Sequence, residues 1–139
     1  MRIVTPEKCK IDEDVELVVM RATNGDMGIL SGHEARSAVL AIGALRIMNE
    51  GVERRIAVYG GLASVANNVL TILTNDAEWP EEINRARADE DREQAQRRLQ
   101  ERTDDIIIQE DLVLLRRALV QIEVSSFPYE DKPKTHDEK

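Results

Sequence analysis

The chain lacks most of the features that mark disulfide-linked, membrane-spanning and nucleic-acid-binding proteins. It has one cysteine, Cys9, so it forms no internal disulfide bond, and this is typical of a reducing compartment. No apolar run approaches the roughly 18 residues that a membrane-spanning helix needs. Pro6 interrupts the first residues before any apolar segment of signal-peptide length. The net charge is −8 without a basic cluster, which disfavours nucleic-acid binding.

Glycine and proline are also missing from one long stretch, residues 81–127, which therefore favours helix. In its first part the apolar positions are few and small: Ala88, Ala95 and Leu99. In its second part larger apolar residues recur at steps of four and three: Ile108, Leu112, Leu115, Leu119 and Ile122. This spacing predicts a helix with one packing face. Residues 103–105 offer good N-cap side chains, so two helices joined there should form an antiparallel hairpin.

The first part of the chain, residues 1–82, has the composition of β-structure. Short apolar runs rich in branched residues follow one another, with turn-forming asparagine and glycine between them. The clearest runs are 15–20, 27–30, 43–48, 52–58, 62–66 and 69–73. Many short strands without an intervening helix predict an antiparallel β-sandwich or barrel. The predicted fold class is therefore α+β, with the β-structure first, the helices second and a polar, disordered tail at 125–139.

Residues 24–33 are the most informative segment, because glycines and a histidine interrupt an apolar, β-like sequence there. Asn24 and Gly25 form a dipeptide typical of a tight turn between two strands. We expect Gly25, Gly28 and Gly32 to lie where the backbone needs a positive φ or a close approach. The segment is not a phosphate-binding loop of the Walker type, since no Gly-Lys-Ser/Thr follows it.

The same segment resembles a known family. Residues 26–33, Asp-Met-Gly-Ile-Leu-Ser-Gly-His, are similar to a run found about 25 residues into the epsilon subunits of F-type ATP synthases. Residues 56–61, an apolar strand ending in two glycines, and residues 83–88, Ile-Asn-Arg-Ala-Arg-Ala, resemble two further stretches of that family in the same order. The opening residues 3–7 fit its first strand, so the resemblance runs from residue 2 to about residue 124.

The resemblance implies a β-sandwich domain at 1–82, a helical regulatory hairpin at 83–124 and a tail at 125–139. It implies a non-catalytic rotor subunit of the central stalk, which couples the gamma subunit to the c-ring and restrains ATP hydrolysis through its helices. The implied partners are the gamma subunit, the c-ring and the alpha and beta subunits of the catalytic head. The implied location is the cytoplasmic face of the bacterial cell membrane, as a peripheral part of the complex.

The resemblance also implies a regulatory ATP site, although no cofactor is required for the rotor role. Its residues would be Glu78, Asn84, Arg87, Ala88 and Arg117. An arginine near a helix N-terminus is well placed to meet a phosphate. The chain departs from the family at Asn84, where aspartate is usual. The alternative interpretation is that Asn84 is a helix cap and Arg87 a surface residue.

Residues expected to contact partner subunits are Asp26, Met27, Ile29, His33 and Arg116. We interpret His33 as a loop residue at the gamma interface and Asp26 as part of a turn that faces the c-ring, both by resemblance. No set of residues converges on His33 in a way that indicates a catalytic or metal site. The rival class is a free-standing small-molecule-binding β-sandwich with a dimerising helical hairpin.

Overall fold

The computed structural model describes residues 1–32, 35–101 and 105–127, with the side chains of 105–107 left out. The β-strands are β1 (Arg2–Val4), β2 (Cys9–Asp12), β3 (Leu17–Ala22), β4 (Gly25–Leu30), β5 (Arg36–Asn49), β6 (Val52–Ala66), β7 (Val69–Leu73) and β8 (Ala77–Glu78). A short 3₁₀ helix at Pro80–Glu82 leads into α1 (Arg85–Glu101), and α2 (Asp105–Ser126) follows. The order of β-structure first and helices second is as predicted.

The strands form one sheet in the order β2-β1-β7-β6-β5-β3-β4, with β8 also paired to β6. All pairs are antiparallel except β1 and β7, which run parallel. The predicted antiparallel β-sandwich is therefore confirmed, with this parallel pair as its one departure among the described strands. A parallel pair needs a long crossover, and most of the β-domain lies between β1 and β7 in the chain.

The sheet folds over on itself and encloses a single apolar core. Strands from both ends of the strand order contribute to one buried cluster, so the two ends face each other as the layers of a sandwich. The largest of its fully buried side chains are Ile3, Val18, Leu45, Ile47, Ile56 and Ile72. The alternation of buried and exposed residues along β3 and β7 is the pattern expected of strands with one face inside.

β6 is a single long strand, whereas the sequence predicted two shorter ones at 52–58 and 62–66. Gly60 and Gly61 lie in its middle with φ of 86° and 132°, so the strand continues through them instead of ending. A Cβ on Gly61 would lie 2.2 Å from the Leu73 carbonyl oxygen, which only glycine avoids. Asn67 and Asn68, at φ of 53° and 62°, form the tight turn to β7 that the sequence predicts.

The second helix packs in a way that the sequence did not predict. Leu119, in the middle of the predicted apolar stripe, is 44% exposed. Among the side chains of α2 that the structure describes, 108–126, the buried ones are Asp111, Ala118, Val120 and Val124. The helix contacts α1 on one side and β5 and β6 on another, so two narrow faces are buried instead of one broad face. The prediction that 108–122 form a single packing stripe was wrong for this reason.

The ends of the helices bear on the predicted boundaries. α2 continues to Ser126, two residues beyond the predicted limit at 124, and Phe127 still contacts the sandwich. The remainder of the predicted tail, from residue 128, lies outside the described residues. α1 ends at Glu101 and α2 begins at Asp105, so the predicted break falls largely on residues 102–104, which are also outside them. The division into domains stays a prediction.

Candidate functional site

The glycine-containing segment forms the β3–β4 hairpin and the chain beyond it. The turn lies at Thr23 and Asn24, one residue earlier than predicted, because Ala22 pairs directly with Gly25. Gly25 and Gly32 adopt φ of 128° and 81°, as expected of glycines in this segment. Gly28 needs neither a positive φ nor a close approach, since a Cβ there would meet only Leu17 Cδ1 at 3.7 Å. The expectation for Gly28 was therefore wrong.

The residues predicted to contact partner subunits differ in the solvent exposure of their side chains. The exposed Asp26 accepts a hydrogen bond from Arg21 Nε at 2.8 Å, and Arg116 is exposed on α2. Met27 is half-buried against the sandwich core. Ile29 is only 7% exposed and belongs to that core, so its side chain supports the hairpin and its contact with a partner is disfavoured. His33 lies outside the described residues.

An apolar row that the sequence analysis missed crosses the neighbouring sheet surface. Val39, Leu62 and Leu73 are 54%, 53% and 51% exposed. They are direct cross-strand neighbours on β5, β6 and β7, since Val39 pairs with Leu62 and Leu62 with Leu73. The apolar row lines an open cleft of about 760 Å³ that also includes Asp26 and Met27. Exposed large apolar residues in contact with one another mark interaction surfaces.

Three of the predicted ATP-site residues, Asn84, Arg87 and Ala88, lie at the start of α1. Asn84 Oδ1 accepts a hydrogen bond from the Arg87 backbone N–H at 3.1 Å, which is the geometry of an N-cap side chain. The Arg87 guanidinium is exposed and forms no ion pair with any described residue. Ala88 is buried and small, as a helix–helix contact requires. The geometry therefore favours the cap interpretation of Asn84.

The other two, Glu78 and Arg117, meet at Tyr59. The Arg117 guanidinium carbon lies 3.9 Å from the centre of the Tyr59 ring, within the range of a cation–π interaction. The Tyr59 hydroxyl donates a hydrogen bond to Glu78. Gln121 Nε2 donates another to the same carboxylate at 3.1 Å, and Arg117 Nη2 lies 3.4 Å from Asp76 Oδ2. These five residues are called the Tyr59 cluster below.

The protonation of Tyr59 is well defined. Burial raises the pKa of the Tyr59 hydroxyl above its ordinary value, and the hydrogen bond to the Glu78 carboxylate raises it further. The phenol therefore stays protonated at neutral pH and acts as a donor. The Tyr59 hydroxyl points toward the Glu78 carboxylate, so the face of the Tyr59 ring stays available to the Arg117 guanidinium. The hydrogen bond and the cation–π contact are therefore compatible.

A second polar contact joins α2 to the sandwich at the end of the helix. The Arg55 guanidinium on β6 lies 4.3 Å from the centre of the Phe127 ring, and its Nη1 donates to Glu123 at 3.0 Å. Between the two polar contacts, Val120 and Val124 pack on Ala57 of β6 in a small apolar cluster that also includes Tyr59 and Ile83.

The structure thus joins Glu78 to Arg117 through Tyr59, and Asn84 to the backbone of Arg87. Among the residues that the structure describes, no hydrogen bond or ion pair connects the two pairs. Sequence reasoning missed Tyr59, Asp76 and Gln121, because their proximity depends on how α2 lies on the sheet. Within the described ranges, no group of three or more metal-ligating side chains is arranged to hold an ion.

Comparison with known proteins identifies the family. Residues 1–80 match the family described as "ATP synthase, Delta/Epsilon chain, beta-sandwich domain". The ATP synthase epsilon chain of Bacillus licheniformis is 38% identical over 125 residues, covering 90% of this chain and 95% of that one. The epsilon chain of Bacillus subtilis is 43% identical over 105 residues, covering 76% and 80%.

A solved structure agrees. A chain in the cryo-EM structure of Euglena gracilis mitochondrial ATP synthase, OSCP/F1/c-ring in rotational state 1, matches with a TM-score of 0.77 and 26% identity, covering 90% of this chain and 79% of that one. No helix in the described part of this chain is long and apolar enough to cross a membrane. Because the family match spans more than half of the chain and the relatives are similar over most of it, the chain belongs to the delta/epsilon family of ATP synthase subunits, as the resemblance predicted.

Proposed function

We propose that the chain is the epsilon subunit of an F-type ATP synthase, a non-catalytic rotor subunit of the central stalk. The observation that carries this proposal is the similarity to curated epsilon chains over both the sandwich and the helices, up to 90% of the chain. The structural match to a chain in an F1/c-ring assembly supports it. The subunit would work by contact and by changes in the position of its helices.

The sandwich would dock on the gamma subunit and the c-ring, and it offers two surfaces for this. The apolar row of Val39, Leu62 and Leu73 suits the burial of a protein partner, because each side chain is half exposed and adjacent to the next. The Asp26 hairpin lies beside it along the same cleft. We assign the apolar row to gamma and the hairpin to the c-ring.

Co-purification with a gamma-type subunit tests this assignment. Leu62→Ser should weaken binding by roughly five- to thirtyfold, since an apolar anchor at the centre of an interface contributes on the order of 1–2 kcal/mol. Val69→Ser is the matched control, because Val69 is also exposed on the sandwich but does not line the cleft. Equal binding by both variants would remove the apolar row from the interface. A lone homodimer that never associates with gamma would favour the rival class of small-molecule-binding domain.

The helices would restrain ATP hydrolysis in the catalytic head. Leu119 and Val113 leave apolar surface exposed on α2, and this surface, together with Arg116, would face the alpha and beta subunits when the helix leaves the sandwich. A chain truncated at about residue 103 should still assemble, while hydrolysis by the complex rises. Unchanged hydrolysis in a correctly assembled complex would refute the inhibitory role.

A regulatory ATP site at Glu78, Asn84, Arg87, Ala88 and Arg117 is a separate proposal, and the rotor role requires no cofactor. Arg87 carries it, because its exposed guanidinium lies in the first turn of α1. In a calorimetric titration with MgATP, Arg87→Ala should lower the affinity by roughly ten- to a hundredfold, the effect of losing a charge-assisted hydrogen bond. Asn84→Asp should raise it if the site is real and leave it unchanged if Asn84 is only a cap.

The proposed location is the cytoplasmic face of a bacterial cell membrane, as a peripheral part of the ATP synthase. Fractionation of cells tests it. The chain should sediment with the membranes together with the catalytic head, and it should be released with that head by low-salt washing. Recovery of the chain in the soluble fraction, separate from the other subunits, would contradict the proposed location.

A further inference from the structure

The contacts between the α2 region and the sandwich include two arginine–aromatic pairs, and the two pairs differ in which region supplies the arginine. In the first, the helix supplies the arginine and the sandwich the ring, as Arg117 stacks on Tyr59 at 3.9 Å. In the second, the sandwich supplies the arginine and the chain just beyond the helix the ring, as Arg55 stacks on Phe127 at 4.3 Å. Arg117 and Phe127 are ten residues apart in the chain, or roughly 15 Å along the helix axis.

Each arginine also contacts at least one carboxylate, and these contacts help to fix the position of the guanidinium over the ring. Arg117 Nη2 lies 3.4 Å from Asp76 Oδ2. Arg55 donates to Glu53 at 2.9 Å through Nε and to Glu123 at 3.0 Å through Nη1. Glu123 is on α2 and Glu53 on β6, so Arg55 bridges the helix and the sheet. Stacked and doubly hydrogen-bonded guanidinium groups lose less entropy per contact than flexible ammonium groups do.

Within the Tyr59 cluster, Glu78 and Arg117 are already engaged, and these are two of the groups that a nucleotide bound there would need. Glu78 accepts hydrogen bonds from Tyr59 and Gln121, and Arg117 faces the carboxylate of Asp76. A bound polyphosphate would have to pull Arg117 away from both its ring and its counter-ion. The Arg117 charge is therefore already paired within the protein, and the Glu78 carboxylate already has two hydrogen-bond donors.

We propose that two reciprocal clamps, Arg117 on Tyr59 and Arg55 on Phe127, hold α2 against the sandwich without any nucleotide. The inference deepens the proposed regulatory role of the helices, because it names what keeps them folded down in this chain. Breaking one clamp should favour the released position by about two- to thirtyfold, the range expected for a cation–π contact between exposed and desolvated limits.

A distance measurement on the isolated full-length chain tests the proposal. Cys9 is the single cysteine and is exposed on β2, so it takes one spin label. Gln109→Cys supplies a second label at an exposed position of α2. Double electron–electron resonance between the two spin labels should give one narrow distance distribution in the absence of nucleotide. Millimolar MgATP should leave that distribution unchanged. A broad distribution that narrows only with MgATP would overturn the proposal.

Variants at neighbouring arginines sharpen the test. Arg117→Ala should broaden the distribution, whereas Arg116→Ala, which removes an exposed arginine one position away, should not. Equal distributions for the two variants would refute the first clamp. Phe127→Leu tests the second clamp independently, at the end of the described chain and away from the sandwich core, and should also broaden the distribution. A distribution that stays narrow in Phe127→Leu would refute the second clamp. These outcomes do not depend on whether the chain binds gamma, so they separate this inference from the rotor assignment.

Discussion

The sandwich and the helical hairpin are built on different physical principles. The sandwich encloses a contiguous core of branched and aliphatic side chains drawn from all eight of its strands. Between the helices, α1 contributes only two buried residues, both alanines, Ala88 and Ala95. Facing them on α2 are Ala118 and a carboxylate, Asp111, which is 4% exposed. Burial of apolar area is the main favourable term in folding, so most of the stability of the chain resides in the sandwich.

This contrast suits a subunit with one fixed part and one movable part. A core of interlocking side chains has a single low-energy arrangement, as a docking platform needs. A helix pair held by small residues, a few valines and polar clamps has a small energy gap between its positions, which is the condition for a population shift. The two regions should therefore respond to mutation differently: changes in the sandwich unfold the chain, and changes in the hairpin relocate a helix.

The largest effect should come from the sandwich at Gly61. A methyl group there would lie 2.2 Å from the Leu73 carbonyl oxygen at a backbone φ of 132°, so Gly61→Ala combines overpacking with backbone strain. We expect a loss of about 3 kcal/mol or more and a fall in melting temperature of roughly 10 °C or more. Circular dichroism of the thermal transition measures both.

Gly51 provides the control for this prediction. Its φ is also positive, at 78°, but a Cβ there would meet nothing within 4 Å. Gly51→Ala should therefore lose only about 1–2 kcal/mol, from the left-handed backbone alone. If both alanine variants melted at the same temperature, close approach of β6 and β7 would not be what requires glycine at position 61.

The hairpin should give a different result at Val124. This residue is fully buried between α2 and β6, in the cluster with Ala57 and Val120. Val124→Ala removes two methyl groups and should weaken the docking of α2 by about 2 kcal/mol. Hydrogen exchange should accelerate in α2 and stay slow in β5 and β6, since the sandwich core does not include Val124. Acceleration in all three elements would mean that the two regions unfold as one unit.

The same contrast explains what the sequence could predict. The change from β-structure to helix near residue 82, the turn at Asn67 and Asn68 and the cap at Asn84 depend on local backbone preferences, and all three are found. The continuous strand through Gly60 and the parallel pairing of β1 with β7 were missed. Both depend on contacts between distant segments, which no local pattern encodes.

Predictions for the candidate site divide along the same line. Asn84 and Arg87 are three residues apart, and their relation follows from helix geometry. The meeting of Tyr59 with Arg117 could not be foreseen, because it depends on which face of α2 lies on the sheet. The sequence stripe through Leu119 favoured a different face. Because Val113, Val120 and Val124 lie off that stripe, α2 carries apolar residues on more than one face, and the periodic pattern does not decide which of them is buried.

A smaller effect of opposite sign is expected between the helices. Asp111 Oδ2 is buried without a hydrogen-bond partner among the described residues, and Oδ1 lies 3.6 Å from Arg98 Nη1. A buried carboxylate that is only partly compensated destabilises its interface. Asp111→Asn should therefore stabilise the hairpin by about 1 kcal/mol, seen as slower hydrogen exchange in α1 and α2.

Glu110→Gln is the matched control for Asp111→Asn. It removes the same charge one position away, at an exposed site on α2, and should change exchange very little. Faster exchange in Asp111→Asn than in the parent chain would mean that the ion pair with Arg98 stabilises the hairpin more than burial of the carboxylate destabilises it.

The smallest effect should appear at acid pH, where Glu53 links the two regions through Arg55. The hydrogen bond from Arg46 lowers the pKa of Glu53 below its ordinary 4.5; burial opposes this shift, and the hydrogen bond from Arg55 adds to it. Because the pKa is lower in the folded state, this carboxylate stabilises the fold above pH 4.5 and loses that contribution as the pH falls through the folded-state pKa. Protonation would also release Arg55 for Glu123 alone and so loosen the second clamp.

Glu53→Gln should therefore lose stability at pH 7 by about 0.5–1 kcal/mol, as expected for a partly exposed ion pair, and show a shallower fall in melting temperature below pH 4.5 than the parent chain. Glu7→Gln is the control, since Glu7 is exposed and forms no hydrogen bond or ion pair with the described residues. If the two variants melted alike from pH 7 to pH 3, Glu53 would not contribute to the acid sensitivity of the sandwich.

If instead Glu53→Gln destabilised the sandwich alone and left α2 docked, Arg55 would hold Phe127 without its second carboxylate. The docking of α2 would then depend less on the ion pairs of the sheet than the contrast between the two regions implies.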